Sequence, residues 1–572
     1  NDNQNRITDS AKYSSQSNTN RTSDFQTVKT WRRSGHQIKF HRNLIDMEMD
    51  NLITILSIIA VASMVFYAMF RVSKYALFLN FIMLSFLVFY LTQGNELVSI
   101  LLYLVCPLML INIGLYVFLH KTETVQNGDS KYQVKFATTK GNFKLDNIKR
   151  GASIIGSAGS GKTESVVYGF LKHFRKEHFC GIIHDYKDFE LTEMAFPLFK
   201  DSDIPFKVIS FDKIIHRVNP IAPRYLENEE SVNEVSRVLI ENLLEQRESG
   251  TTGTTKFFND AAEGLIGGLI WKLKTDYSNY CTLPHLIAIY QMLDTDSLIQ
   301  FLETNTTSRA MADAFISGKD SDRQTAGVKS TLANALKRIS TQRIFMALSA
   351  DEVPLNINSE ENPAIISVVN NPKYETSYSP VIATIIHTIT KQMSVRNSKS
   401  SFLLMEEAPT IRLLNMHRIP ATLRSYDIAT IYVMQDKIQN DMMYGDKASK
   451  AILSNLSYQF FGKVNDPDTA KYYERFFEII KDPTKSISRG HNLDFDTRIT
   501  TGEKEIPKIR ADVFFRLKQG EFITYADGKD KKVQFKLADI QRELPNETKQ
   551  FSQTDLAANF ERVYDEARSI FR

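Results

Sequence analysis

The feature that most limits what this chain can fold into is a short glycine-rich stretch. Gly156 to Thr163 reads GSAGSGKT and fits the pattern G-x-x-x-x-G-K-[ST] at every position. A short apolar run, Ala152 to Ile155, precedes it, and a run with apolar residues on one helical face follows it. Glycines here let backbone N–H groups wrap phosphates at a helix N-terminus, where the dipole favours anions. The stretch therefore predicts a nucleotide phosphate-binding loop.

Each residue of this loop is assigned to nucleotide binding. The set is Gly156, Ser157, Ala158, Gly159, Ser160, Gly161, Lys162 and Thr163. Lys162 is expected to neutralise the β- and γ-phosphates of ATP during catalysis, and the Thr163 hydroxyl is expected to ligate Mg²⁺. The alternative is an accidental Gly/Ser turn, but the strand and helix that the motif requires are predicted on both sides.

A second chemical feature lies far downstream, where an apolar run ends in two acids. Phe402 to Met405 is followed by Glu406 and Glu407. Because α/β sheets bind ligands beyond the carboxyl ends of their strands, both acids would emerge beside a nucleotide. Glu406 is expected to orient Mg²⁺, and Glu407 is expected to position or deprotonate the attacking water. The alternative is an exposed acidic turn that caps a helix.

Short β-branched runs alternate with helical segments from about Lys131 to Ala526. The predicted strands are Ala152 to Ile155, Gly181 to His184, Lys207 to Phe211, Ala364 to Val369, Phe402 to Met405, Ala429 to Met434, Gln459 to Val464 and Glu521 to Tyr525. Near-continuous apolar strands between helices indicate a predominantly parallel sheet covered on both faces, an α/β fold. Helical periodicity replaces strands between Tyr225 and about Ala350, which predicts an all-helical insertion.

Three uncharged apolar runs near the start predict a membrane anchor. They are Leu52 to Phe70, Tyr75 to Leu91 and Leu97 to Leu119. Each approaches the roughly 20 residues that span a bilayer as a helix, whereas buried core helices normally carry a polar stripe. Arg71 and Lys74 follow the first run, so the positive-inside rule places this connection and the bulk of the chain in the cytoplasm. The expected location is the bacterial inner membrane, with several spans.

These patterns give the predicted domain boundaries. They are 1–46, a disordered or non-native extension; 47–120, the transmembrane anchor; 121–224 and 351–540, the nucleotide-binding domain; 225–350, the all-helical insertion; and 541–572, a tail with an amphipathic helix behind Thr554-Asp555. The first segment is rich in polar residues, which cannot offset the entropy of ordering, and Met47 stands directly before the first apolar run. The extension is therefore expected to be disordered or foreign to the native product.

Net charge and cysteine content argue against a uniformly basic nucleic-acid-binding chain and against a disulfide-stabilised fold. The net charge of +4 is too small to mark the whole chain as nucleic-acid binding. Cys106, Cys180 and Cys281 are an odd number at wide spacings, which favours a reducing compartment over a disulfide framework. His178 and His184 bracket Cys180 without a fourth ligand, so a buried strand explains them better than a metal site.

Local stretches resemble those of a known family. Ile183-His-Asp185-Tyr-Lys187 resembles a strand ending in Asp-x-Lys, Lys256-Phe-Phe-Asn259-Asp260 an aromatic-Asn signature, and Phe460-Phe-Gly462-Lys-Val-Asn465-Asp466-Pro467 a late strand and turn. From about residue 50 to about residue 540 the chain thus resembles the type IV secretion coupling proteins, the TraG/TraD-like conjugation ATPases, and most of all Bacteroides-type mobilization ATPases. The resemblance implies a RecA-like P-loop NTPase domain with an inserted all-α domain and N-terminal transmembrane helices. Glu406 departs from the family, which has Asp, and three spans replace the usual two.

The resemblance also implies function. It implies a homo-hexameric ring that hydrolyses ATP between subunits and moves single-stranded DNA, with partners that include a relaxase, mobilization proteins and channel components. Arg424 falls where the family places an arginine finger, and Gln435 falls where a strand-terminal side chain senses the γ-phosphate. A surface charge and an ordinary strand-end residue are the alternatives. Asp185 and Lys187 either belong to the nucleotide crevice or form an ordinary salt bridge.

Three questions stay open at this level. A basic cluster in the helical insertion could contact DNA phosphates or form a solvated helix face; its members are Arg323, Lys329, Lys337, Arg338 and Arg343. The C-terminal amphipathic stripe could dock on the core or bind a partner. The chain could also be a nucleotide-gated recruitment platform without motor activity, or an FtsK-like protein-export motor.

Overall fold

The computed structural model describes residues 130–244, 253–489, 497–545 and 551–572. The predicted extension and the three predicted membrane runs lie outside this part of the chain. Among the described residues, no helix combines the length and apolarity that a membrane crossing requires. The described residues belong to one compact unit.

A nine-stranded sheet forms the centre of this unit. The strands of the described residues are β1 (Val134–Thr138), β2 (Gly141–Leu145), β3 (Ala152–Ile155), β4 (Cys180–Asp185), β5 (Phe206–Ile209), β6 (Ile365–Val369), β7 (Ser401–Met405), β8 (Ile428–Met434), β9 (Tyr458–Phe461), β10 (Ile479–Arg489), β11 (Thr497–Pro507), β12 (Glu521–Ala526) and β13 (Lys529–Gln534). The order across the sheet is β13-β12-β9-β3-β8-β7-β4-β6-β5. Neighbours from β9 to β5 run parallel, and β12 and β13 add an antiparallel edge. The predicted α/β class is confirmed.

Helices surround the sheet. Within the described residues they are α1 (Tyr168–Lys176), α2 (Glu190–Phe199), α3 (Glu229–Leu243), α4 (Gly253–Asp276), α5 (Leu283–Met292), α6 (Thr295–Glu303), α7 (Thr306–Met311), α8 (Asp313–Ile316), α9 (Asp322–Lys337), α10 (Gln342–Leu348), α11 (Glu375–Met393), α12 (Ile419–Arg424), α13 (Lys437–Tyr444), α14 (Asp446–Ser454), α15 (Pro467–Glu474), α16 (Ala511–Phe515) and α17 (Gln553–Ser569). Helices α3 to α10 follow one another with no strand between them in the described part of the chain, as the periodicity predicts.

The sheet is buried on both faces because its central strands are apolar at successive positions. Ile154 packs into a core with α1, α2 and the β1–β2 hairpin, while the next residue, Ile155, packs into the core on the opposite face. Leu404 and Leu403 divide between the faces in the same way. Since successive side chains of a strand point to opposite faces, only such uninterrupted runs can fill both cores, and each fully buried aliphatic side chain contributes about 1.5–3 kcal/mol.

The C-terminal helix α17 docks on the helical region. It begins after Ser552, which forms a capping box with Asp555, so the cap lies two residues before the predicted Thr554. The ring of Phe560 packs 4.6 Å from that of Phe345 in α10, measured between centroids. Val563 on the same stripe is fully buried. Of the two alternatives for the apolar stripe, the structure shows docking on the core.

Candidate nucleotide site

Strand order brings the glycine-rich loop and the twin acids to one edge of the sheet. Strand β8 lies between β3, which leads into the loop, and β7, which leads into the acids. Ile155 is level with Met434 at the end of β8, and Met405 is level with Tyr432. Because all three strands are parallel, their carboxyl ends open into the same crevice, as predicted.

The loop has the backbone geometry of an anion cradle. Gly159 and Gly161 adopt φ values of 74° and 84°, which residues other than glycine rarely adopt. A Cβ on Gly161 would also stand 2.9 Å from the backbone nitrogen of Gly520, whose N–H donates to the Ser160 carbonyl. The loop before β12 therefore supports the cradle from behind, a contact that the sequence motif does not reveal.

Lys162 begins a π-helical turn, Lys162–Val167, which continues into α1. Its side chain is only 7% exposed, and its Nζ donates to the Gly156 carbonyl oxygen at 2.5 Å. Burial lowers the pKa of Lys162, the positive charge of Lys187 lowers it further, and Glu407 and Glu406 oppose the shift. This coupling shows that the loop lysine and the two acids lie within electrostatic reach of each other.

The two acids are buried, so neither is an exposed acidic turn. Glu406 is 3% exposed and Glu407 is 2% exposed. Glu407 adopts a left-handed backbone with φ of 43°, which is strained for a residue with a side chain, and its Oε1 accepts a hydrogen bond from Gln435 Nε2 at 3.0 Å. Gln435 follows β8, so the strand between the loop and the acids contributes directly to the arrangement.

Lys187 forms ion pairs with both acids. Its Nζ lies 3.3 Å from Glu406 Oε1 and 3.3 Å from Glu407 Oε1. Burial lowers the pKa of Lys187, but the two carboxylates outweigh burial and raise it. Burial raises the pKa of Glu406, Asp185 adds to this effect, and Lys187 opposes it. Of the two alternatives for Lys187, the structure favours a place in the crevice.

Asp185 serves a different purpose from Lys187. Its Oδ2 accepts hydrogen bonds from the backbone N–H of Thr192 at 2.7 Å and from the Thr192 hydroxyl at 2.6 Å. Helix α2 has no side-chain cap from its own N-cap residue, Phe189, so Asp185 satisfies its third N–H from the neighbouring strand. We therefore assign Asp185 to the fold and Lys187 to the site.

The residues fit a magnesium ion. Glu406 Oε2 is buried and has no hydrogen-bond partner among the described residues, so it retains a free acceptor for a cation. Carboxylate and hydroxyl oxygens are ligands that Mg²⁺ prefers, and Thr163 is half-buried at the start of the helix after the loop. Glu406 and Thr163 would hold the ion.

Other candidate residues lie elsewhere. Arg424 is exposed at the end of α12, four residues before β8 begins. It therefore lies near the amino end of β8, whereas the acids lie at the carboxyl ends of the strands.

Of the basic cluster, Lys329 donates to the Leu293 carbonyl, Arg338 donates to the Leu243 carbonyl, and Arg343 pairs with Asp212 at 2.6 Å. These contacts favour a structural role for those three. The described residues contain no cluster of His, Cys, Asp and Glu that could hold a metal by itself.

Comparison with known proteins identifies the family. The conjugative coupling protein TrwB in its unbound form has 11% identity and a TM-score of 0.58, over 72% of this chain and 90% of that one. TrwB bound to the ATP analogue ADPNP has 11% identity and a TM-score of 0.54, over 71% and 89% of the two chains. TrwB bound to ADP and Mg²⁺ has 11% identity and a TM-score of 0.53, over 69% and 87%.

These likenesses show a shared fold. A search of curated protein sequences gives no significant match. The family model of the type IV secretion-system coupling protein DNA-binding domain matches residues 137–511, which is more than half of the chain. The protein therefore belongs to the type IV secretion-system coupling protein family.

Proposed function

We propose that this protein is a membrane-anchored ATPase that moves single-stranded DNA, with its attached relaxase, toward a type IV secretion channel during conjugation or mobilization. The observation that carries the ATPase part is the convergence of the glycine-rich loop, Gln435 and the two buried glutamates at one sheet edge. The DNA part rests on the family, whose matched domain is a DNA-binding domain.

Each residue has a defined task in this proposal. The loop N–H groups and Lys162 bind and orient the phosphates. Glu407, held by Gln435, accepts a proton from the attacking water or positions it. A Mg²⁺ ion held by Glu406 and Thr163 would supply charge neutralisation for the phosphates. TrwB has been crystallised with ADPNP and with ADP and Mg²⁺, which supports ATP and Mg²⁺ as the ligands of this chain.

Assembly and location are further parts of the proposal. Arg424 is exposed and distant from its own crevice, a position compatible with action on the nucleotide of a neighbouring subunit in a homo-hexamer. The apolar runs between residues 52 and 119 support a multi-pass anchor in the bacterial inner membrane, with the ATPase domain in the cytoplasm. Relaxase, mobilization proteins and channel components are the proposed partners.

The central test is ATP hydrolysis by the full chain with and without single-stranded DNA. We expect DNA to stimulate hydrolysis, and we expect Lys162→Ala to abolish both hydrolysis and conjugative transfer while relaxase binding persists. If transfer survives in Lys162→Ala, the motor assignment is wrong and a recruitment platform explains the protein better. If secreted protein but not single-stranded DNA stimulates hydrolysis, a protein-export motor explains it better.

A further inference from the structure

Two lysines share the crevice, but they contact different groups. Lys162 Nζ donates to the Gly156 carbonyl of its own loop, while Lys187 Nζ contacts the carboxylates of Glu406 and Glu407. The positive charge next to the glutamates therefore comes from a residue outside both motifs. The side chain of Lys187 is 36% exposed, whereas those of the glutamates are 3% exposed, so the ammonium reaches the acids from the solvent side.

Lys187 also has a third carboxylate within reach. Glu190, at the first position of α2, has Oε2 3.9 Å from Lys187 Nζ, and its side chain is 32% exposed. A lysine ammonium on a flexible four-carbon stem can move between such neighbours at low cost. The backbone N–H of Lys187 donates to Asp185 Oδ1 at 3.3 Å, which fixes the main chain from which the side chain extends.

We propose that Lys187 is an internal counter-cation that occupies the glutamate pair until Mg²⁺ arrives together with a nucleotide. This proposal rests on the proposed function, because it assigns Glu406 to the metal. Two buried carboxylates without a counter-ion would attract any divalent cation, and an ammonium in contact with both competes with that cation directly. The phosphates of a nucleotide supply further ligands for the metal and further negative charge for the Lys187 ammonium. Binding of the metal and binding of the nucleotide therefore displace Lys187 from the glutamates together. Lys187 is thus a positioning residue that makes Mg²⁺ binding at the glutamate pair depend on nucleotide binding.

The test is the affinity of the full chain for Mn²⁺ in the absence of nucleotide. Electron paramagnetic resonance measures it through the signal of free Mn²⁺. We expect Lys187→Met to bind Mn²⁺ about tenfold more tightly than the wild type, because the competing charge is gone. With ADPNP present the difference should shrink to about twofold. Adding Glu406→Gln to Lys187→Met should remove the gain, since the ion then lacks its buried carboxylate.

Lys200→Met is the matched control. Lys200 is 37% exposed and pairs with Glu543 at 2.5 Å, so this substitution removes a similarly exposed ion pair at the far end of α2. It should leave Mn²⁺ affinity unchanged. Equal nucleotide-free affinities in Lys187→Met and the wild type would overturn the proposal and leave Lys187 with a structural role.

Folding of the variants does not limit the test. If circular dichroism shows that Lys187→Met is unfolded, Lys187→Gln replaces it. The wild type gives a second requirement, with ADPNP alone as the blank for Mn²⁺ that the nucleotide itself chelates. ADPNP must raise the affinity of the wild type for Mn²⁺, and equal affinity in a protein that binds ADPNP contradicts the proposal. Metal binding is measured without turnover, so a wild type that fails to hydrolyse ATP contradicts the proposed function and not this measurement.

Discussion

Glu407 is held by two side chains of the site and by its own backbone geometry. Gln435 donates to its Oε1, Lys187 lies within 3.3 Å of the same atom, and its backbone is in the left-handed region. A strained backbone persists only where the surrounding contacts determine it. The carboxylate is therefore held in one orientation before any substrate enters, which is what a general base or a water-positioning group requires.

Replacing Glu407 with Gln should separate binding from chemistry. The amide is nearly isosteric but cannot accept a proton, so we expect ATP hydrolysis to fall by about 10²–10⁴-fold while nucleotide affinity stays within a few-fold. Steady-state hydrolysis and titration with a fluorescent nucleotide measure the two effects. Glu190→Gln, which changes the more exposed partner of Lys187, should keep most of the activity. A Glu407→Gln protein that hydrolyses ATP at the normal rate would refute the assignment.

His387 should make the fold sensitive to acid. It is buried in α11, 3.7 Å from Glu234 and near Lys391, and burial lowers its pKa to about 4. Unfolded histidine has a pKa of about 6.5, so the native state binds fewer protons between these values, and stability falls as the pH drops through this window. The expected loss between pH 6.5 and pH 5 is about 2 kcal/mol.

Urea unfolding at pH 7.5, 6.5 and 5 measures this effect. The slope of unfolding free energy against pH should be smaller in His387→Gln than in the wild type, because the glutamine does not titrate. Identical slopes in the two proteins would show that His387 does not bind a proton on unfolding.

At the scale of helices and strands, the strands that could be predicted from the sequence are those that contain runs of apolar residues. All eight predicted strands are present with ends shifted by a few residues, because each contains apolar residues that are buried in the structure. Strand β13, with sequence KDKKVQ, escaped prediction since an edge strand needs little apolar surface and its lysines face solvent. The β10–β11 hairpin also escaped prediction; in the described part of the chain it forms a two-stranded sheet apart from the main one.

The site was predictable to the extent that it depends on strand ends. Parallel strands place their carboxyl ends at one edge whatever their order, so the approach of the loop to the acids follows from the motifs. The contact of Lys187 with Glu406 does not, because it requires β4 to lie beside β7, and strand order is not written in local patterns. Support of the loop by Gly520 depends in the same way on a strand far along the chain.

Two glycines of the loop offer a matched pair for testing this support. Gly161→Ala and Gly159→Ala both impose a positive φ on alanine, which costs about 1 kcal/mol, but only the Cβ at 161 would meet a neighbour within 4 Å. We therefore expect Gly161→Ala to lower both the melting temperature and nucleotide affinity more than Gly159→Ala does. Thermal unfolding and nucleotide titration measure the two. Equal losses would show that the contact with Gly520 contributes nothing beyond backbone conformation.

At the scale of the whole described unit, the helical region and the sheet form one packed body. One continuous core contains side chains of the sheet, of α11 and of α3 to α10. Arg412, in the loop after the acids, pairs with Glu241 of α3 at 3.1 Å, and Arg343 of α10 pairs with Asp212 after β5. The helical region is thus joined to the nucleotide edge by both apolar and charged contacts, and movement of one should strain the other.

Docking of α17 should stabilise this body. Leu556 is buried on the docked face, and its replacement by Ala should lower the free energy of unfolding by about 2–3 kcal/mol through lost burial and a cavity. Glu561, exposed on the same helix, is the control, and its replacement by Ala should change stability by less than about 0.5 kcal/mol. Urea unfolding followed by circular dichroism measures both. A Leu556→Ala protein as stable as the wild type would show that the tail is only loosely attached.

Strand β8 has a further consequence. Its seven residues are all buried, and it runs from the turn after Arg424 at one edge of the sheet to Gln435 at the other, a span of roughly 20 Å. The strand is paired on both sides within a close-packed interior, so a displacement at one end strains the other. If Arg424 acts on the nucleotide of an adjacent subunit as proposed, β8 connects that arginine to Gln435 in its own site, and hydrolysis in one subunit would be coupled to the next.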